Sequence, residues 1–225
     1  MKTLKLLTVA TLLLMTVSAQ AQLTQEQIKE RKEILKTSKD AINTKATKLA
    51  SKEAKRLKKE GWKTTPGTLP LDKQIDKSFL MQMEYDKDMF PKYIMAEGMS
   101  TGENYDGAKL QAIELAKQHL AGQIQTEVTA LIENSVDNAQ LMAADAATVT
   151  KTLSGAQNLI SQQIGRVIPV VETYRDIKKN GNKEVLVRIA YDSKTAKVAA
   201  KNAIRAGLEE GSEEIHKKLD EMMGW

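Results

Sequence analysis

The sequence predicts an α+β protein. Its centre is a β-α-β-β module, a small antiparallel or mixed three-stranded sheet with helices on one face, the long helix packed there, joined by an N-terminal basic helix and a C-terminal helix. Three patterns predict this. After Tyr105, the residues Ala108, Ala112, Ala116, Leu120, Ile124 and Val128 recur at spacing four, which is the apolar stripe of a helix. Residues 168–178 and 184–191 flank Lys179-Asn180-Gly181-Asn182, where Asn-Gly supplies the positive φ angles of a type I′ hairpin. A shorter extended run, Tyr93-Ile94-Met95-Ala96, precedes the long helix.

The chain opens with Lys2 and Lys5, an uncharged run over residues 6–17, and Ala19-Gln20-Ala21. These are the charged, apolar and small-residue regions of a cleavable secretory signal. The run of 12 residues is shorter than the roughly 20 a bilayer-spanning helix needs. Cleavage is expected between Ala21 and Gln22, leaving a mature chain without a transmembrane helix, in the periplasm or peripherally on the outer membrane. The 225 residues include no cysteine, which excludes a lipobox, disulfides and thiolate chemistry. Aromatic residues are only 4 %, so Ala, Leu, Ile, Val and Met must fill the core.

Residues 22–62 read as a basic helix. Thr24-Gln25-Glu26-Gln27 is a capping-box pattern, and Ile28, Leu35, Ile42 and Leu49 recur every seven residues, with Leu57 one place late. So narrow a seam needs another surface to lie on. Residues 22–63 carry 13 Lys/Arg against 6 Asp/Glu, a net of +7, while residues 64–225 carry −4. The basic character therefore belongs to one arm. Residues 63–90 read as a loop, rich in Pro and Gly, followed by a short helix with Leu71, Ile75, Phe79 and Met83 at helical spacing.

Residues 91–192 form the β-α-β-β core. In the first strand Ile94, Ala96 and Gly98 share a face, with bulk falling along it, and Gly98 to Gly102 read as the turn that ends it. Small residues also begin the long helix, as close helix-on-sheet packing requires. Val149, Leu153, Ala156, Ile160, Ile164 and Val167 mark a second helix, closed by Pro169. In the last strand Val185, Val187, Ile189 and Tyr191 alternate with more polar neighbours, so one face is the better buried. The first strand pairs with either the second or the third. Residues 193–225 follow as the terminal helix, with Asp192 and Ser193 as N-caps, an apolar stripe from Ala196 to Leu208, and a break at Gly211-Ser212.

Tyr93-Ile94-Met95-Ala96-Glu97-Gly98, the alanines and Leu120-Ala121 of the long helix, and Val170-Val171-Glu172-Thr173-Tyr174 resemble the Lpp-twenty family of bacterial envelope lipoproteins. A similar module occurs in the N-terminal part of FlgT. The resemblance spans residues 62–191 and implies an envelope protein with a β-α-β-β module, and it brings no active site to carry over. Unlike those lipoproteins, this chain has no cysteine after its signal.

No residue pattern marks a catalytic, cofactor or metal site. His119 and His216 lack a partner at helical zinc spacing and read as a helix flank and a solvated face. No serine lies in a nucleophile elbow. Glu84, Asp86 and Asp88 lack the glycine and distal glutamate of a calcium loop and read as a solvated connection. Ser154-Gly155 reads as structural, and the acidic stretch 209–214 as exposed charge. Lys52, Lys55, Arg56, Lys58 and Lys59 form the one concentrated patch, suited to an anionic surface. The expected role is a noncatalytic interaction or scaffold protein that contacts an envelope protein or an anionic envelope surface, with no nucleic acid after export. The alternative is a module that holds a small apolar or anionic ligand between sheet and terminal helix. A hydrolase comes third.

Overall fold

A computed structural model describes residues 44–87, 89–137, 142–208 and 213–223, with Lys29, Lys32 and Glu33. The chain divides into two compact units, Met1–Lys45 and Ala46–Trp225. In the first unit Lys29, Lys32 and Glu33 are helical, and the signal junction Ala21/Gln22 and the seam residues Ile28, Leu35 and Ile42 lie outside the described residues. In the second unit the described elements are α1 (Lys48–Lys59), α2 (Leu71–Gln82), β1 (Tyr93–Gly102), α3 (Tyr105–Asp137), α4 (Ala143–Ser154), α5 (Gln157–Gln163), β2 (Ile168–Asp176), β3 (Lys183–Asp192), α6 (Ser193–Gly207) and α7 (Glu213–Met223). No helix among the described residues is long and apolar enough to cross a membrane.

The fold is α+β, with a fully antiparallel sheet in the order β1-β3-β2. This resolves the open pairing. β1 joins β3 along its whole length, from Tyr93 opposite Asp192 to Gly102 opposite Lys183, and β2 lies on the other side of β3. As the central strand, β3 is buried on two faces. Val185, Val187, Ile189 and Tyr191 enter the main core beneath α3, while Ala190 is buried on the opposite face with Met81 and Val170.

The stretch Gly98 to Gly102 is strand and not a turn. A Cβ on Gly98 would lie 2.0 Å from the Ala112 carbonyl oxygen and 2.6 Å from the Ala116 nitrogen. The α3 backbone thus rests directly on the strand. Glycine is here a packing requirement, and pairing with β3 offsets its cost to the strand. Ala108, Ala112 and Ala116, all fully buried, make the same approach from the helix side, as the falling bulk of the strand face predicts.

Three further expectations change. The second helical pattern is two helices, because the chain leaves α4 at Gly155. There Gln125 of α3 donates to the freed Leu153 carbonyl at 2.9 Å, and the same buried face continues through Ile160 and Ile164. The hairpin turn is also not type I′. Ile177 and Asn182 close a four-residue loop through a 2.8 Å bond, Gly181 N–H donates to Ile177 O at 2.9 Å, and the positive φ, +73°, falls on Gly181 but not on Asn180. Finally, helices cover both faces of the sheet. α1 and α2 pack on the side away from α3, where Ala50, Ala54, Leu71, Ile75 and Val171 form a smaller core.

The basic helix is not continuous to Gly61. Residues 45–47 are not helical, and Thr47 starts α1 by accepting from Ala50 N–H while its own hydroxyl donates to Asp76 at 2.7 Å. Leu49 is 64 % exposed, and the alanines make the contact instead. Beyond α1, buried Trp62 lies under the Arg175 guanidinium, 4.6 Å from ring to cation, and Lys63 exchanges two backbone bonds with Tyr174.

Candidate functional site

The predicted cationic residues all lie on α1 and are exposed, but they are not equivalent. With Ala50 and Ala54 turned inward, the helical repeat puts Lys52, Lys55 and Lys59 on the opposite side and Lys58 on the flank. Arg56 is committed to its own helix, with Glu53 at 2.6 Å and Glu60 at 2.6 Å. Its hydrogen bond to Glu53 raises the guanidinium further above its usual range, and the same bond lowers Glu53. Lys48, one turn before Lys52 and also exposed, completes the stripe that the sequence reading stopped short of.

A second surface lies where the chain from Asp86 to Ile94 meets α6. The turn before β1 is closed by a Tyr85–Pro91 bridge, by Asp86 N–H to Phe90 O at 2.8 Å and by Phe90 N–H to the Asp86 carboxylate at 3.0 Å. Met89 sits within it at φ 64°, a rare conformation for a side chain of this size. Ser193 fastens the start of α6 to this turn, donating from N–H to Lys92 O at 2.9 Å and from Oγ to Pro91 O at 2.7 Å. Asp192 caps the helix by accepting from Thr195 N–H at 2.8 Å. Because α6 buries Ala196, Ala199, Ala200, Ala203 and Ile204, its other side faces outward. A groove of about 850 Å³ results, lined by Phe90, Tyr93, Ile94 and Val198 with Lys194 and Lys197.

Farther along the groove, Lys201 and Arg205 each lie 2.7 Å from Asp220 of α7. Lys194 is held more loosely, 3.9 Å from Asp86. Lys197 stands over the Phe90 ring at 5.5 Å. Glu127 of α3 also opens onto the groove. Loss of hydration pushes its carboxyl above the usual range, and Lys197 opposes that shift.

Several other titratable groups have structural partners. Glu84 pairs with Lys92 at 3.0 Å, and Asp86 holds the turn together, so this stretch is a solvated connection, as expected, with Glu84 exposed, but it is also braced. Asp88 lies outside the described residues. Among the described residues no cluster of three His, Asp or Glu is placed to hold a metal ion. His119 Nδ1 is 2.6 Å from Glu97 O, on the helix flank as the sequence implies. His216 is half-buried, with its Nδ1 buried and without a hydrogen-bond partner among the described residues.

One polar cluster escaped the sequence reading. Tyr105 donates to the Glu172 carboxylate, which Lys109 also meets at 2.9 Å. Gln74 fixes the same strand by accepting from Glu172 N–H at 2.7 Å. Burial, then the bond to Glu172, pushes the Tyr105 hydroxyl up to about 12. A phenol that holds its proton so firmly braces the α3–β2 junction and is a poor base. The i, i+4 spacing of Tyr105 and Lys109 was its one sequence signal.

Compared with protein-family models, curated proteins and solved structures, the chain gives no significant match.

Proposed function

We propose that this is a noncatalytic, exported envelope protein that works by contact, peripherally associated with an anionic envelope surface or an envelope partner through α1. The observation that carries the reading is the stripe Lys48, Lys52, Lys55 and Lys59. None of these has an ionic partner among the described residues, and all are exposed on the side opposite the buried alanines. An anionic surface attracts each such cation by about 1 kcal/mol near the surface. The signal-like N-terminus and the resemblance to the Lpp-twenty lipoproteins support an envelope location, with noncovalent contact in place of a lipid.

Replacing Lys48, Lys52, Lys55, Lys58 and Lys59 by Gln should weaken binding to phosphatidylglycerol-containing vesicles and leave the melting temperature nearly unchanged. Salt should mimic the change, because the screening length falls from about 10 Å at 0.1 M to about 3 Å at 1 M. Binding that ignores both the substitutions and salt would remove the reading. Export is checked separately by N-terminal sequencing of mature protein, expected to start at or near Gln22.

A second reading rests on the groove beside α6. An apolar lining with cations at its rim suits a module that holds a small apolar or anionic envelope ligand.

A further inference from the structure

We propose that the groove between α6 and the turn before β1 binds a single-chain amphiphile with an anionic head, its chain on Phe90, Tyr93, Ile94 and Val198 and its head at Lys194 and Lys197. This rests on the second reading above and names its ligand class. The apolar part of the argument is that Phe90 is 62 % exposed and Val198 47 % exposed, and both line one groove with Ile94 and Tyr93. Scattered exposed apolar residues are ordinary, but apolar residues gathered in a concave site are the usual mark of a ligand pocket. The volume, about 850 Å³, lies in the range of small-molecule sites, roughly 300–1,000 Å³.

The charge argument separates the four cations along α6. Lys201 and Arg205 are taken by Asp220. Lys194 has a carboxylate only at 3.9 Å, and Lys197 rests over an aromatic face. Those two are positioned to exchange a weak contact for a head-group oxygen. Lys197 joins the two halves of the site, since it lines the groove with its ammonium 5.5 Å from the centre of the Phe90 ring. The site is also built before any ligand arrives, because the Asp86–Phe90 bonds and the Ser193 bonds fix the turn against the helix. A fixed site loses less entropy on binding than a loose one. Glu127, which also lines the groove, works against an anion.

The test uses the purified full chain and three probes below any micellar concentration: dodecyl phosphate, a neutral dodecyl glycoside, and inorganic phosphate. Calorimetry measures affinity, and methyl resonances of Ile94, Val198 and Met89 report location. Dodecyl phosphate should bind saturably and shift these methyls. Lys194→Gln with Lys197→Gln should weaken it about five- to tenfold, as loss of charge-assisted contacts predicts. Glu127→Gln should tighten it. Val198→Asp should abolish binding without lowering the melting temperature, since that position is half exposed. Equal binding of the neutral glycoside would overturn the anionic class while leaving the ligand-binding reading intact. Equal binding of inorganic phosphate would overturn the amphiphile. Saturable binding of none of the three, or shifts confined to α1, would remove the groove as a site and leave the lysine stripe as the contact surface.

Discussion

At Gly98 a single hydrogen atom decides how close a helix comes to a sheet. A Cβ there would meet main-chain atoms of Ala112 and Ala116, which cannot rotate away as a side chain would. Gly98→Ala should therefore cost at least the roughly 1–3 kcal/mol typical of overpacking. Ala112→Gly should not rescue it, because the obstruction is the Ala112 carbonyl and not its methyl. Rescue in a denaturation series would show that the contact is side chain to side chain. Gly181 is glycine for another reason. Its φ of +73° makes Gly181→Val unfavourable by about 1 kcal/mol or more, and an unchanged melting temperature would refute the turn geometry. Two titrating residues add pH dependence of opposite sense. Asp176, bonded first by Lys183 and then by Lys63, is pushed down to about 2. The folded chain thus binds fewer protons than the unfolded one between about pH 4 and 2, and stability from this carboxylate is lost as pH falls through that window. Tyr105 is pushed up to about 12. Its stabilising effect is complete below about pH 10 and is lost as pH rises toward 12. Tyr105→Phe should flatten the stability profile in that alkaline window, measured by urea melts across pH.

At the scale of elements, what the sequence reveals depends on whether the cause is local. The alanine stripe of α3 and the alternation of β3 were legible because burial on one side imposes a period that no other arrangement produces. The hairpin was legible in place but not in type, since Asn-Gly signals a turn whether or not Asn takes positive φ. β1 was read too short because Gly98 and Gly102 look like breakers, and only the approach of a helix from elsewhere in the chain makes them strand residues. The same limit hid the break before α1. The leucine seam runs through residues 44–47 without a gap, but Thr47 finds Asp76, 29 residues away, and Ala50 finds α2. The groove was least legible, because α6 meets a turn about 100 residues earlier. Its trace was the spacing of Lys194, Lys197, Lys201 and Arg205 on the face away from the Ala196 stripe. For α1, the exposed and buried sides make separate predictions. Ala54→Asp should destabilise, as a charge placed in the small core, while the lysine substitutions should not. Equal effects on the melting temperature would mean that the lysines stabilise the fold.

At the scale of the whole second unit, the sheet is covered unequally on its two faces. The side under α3 holds the main core, with Leu120, Ile124, Leu153, Ile160, Ile189 and Ile204 among its buried large residues. On the other side α1 contributes two buried alanines, Ala50 and Ala54. An isolated helix of 12 residues is marginal in water, and two buried alanines with the half-buried Leu57 beside them bury little apolar area. α1 is thus held mainly by its ends, by Thr47 on Asp76 and by Trp62 under Arg175 with Lys63 paired to Tyr174. Native-state hydrogen exchange should show α1 amides opening at a lower free energy than those of β3 and the first half of α3, since local opening follows buried apolar contact. Trp62→Ala should lower the α1 value further and leave the β3 value nearest to that of global unfolding. Exchange of α1 only through global unfolding, in both the parent and the Trp62→Ala chain, would show that both faces of the sheet unfold as one cooperative body. Early opening has a consequence for the surface that α1 presents. A helix held at its ends on a small core can leave the sheet without unfolding it, so binding of anionic vesicles should alter protection in residues 48–59 before it alters any amide of the sheet.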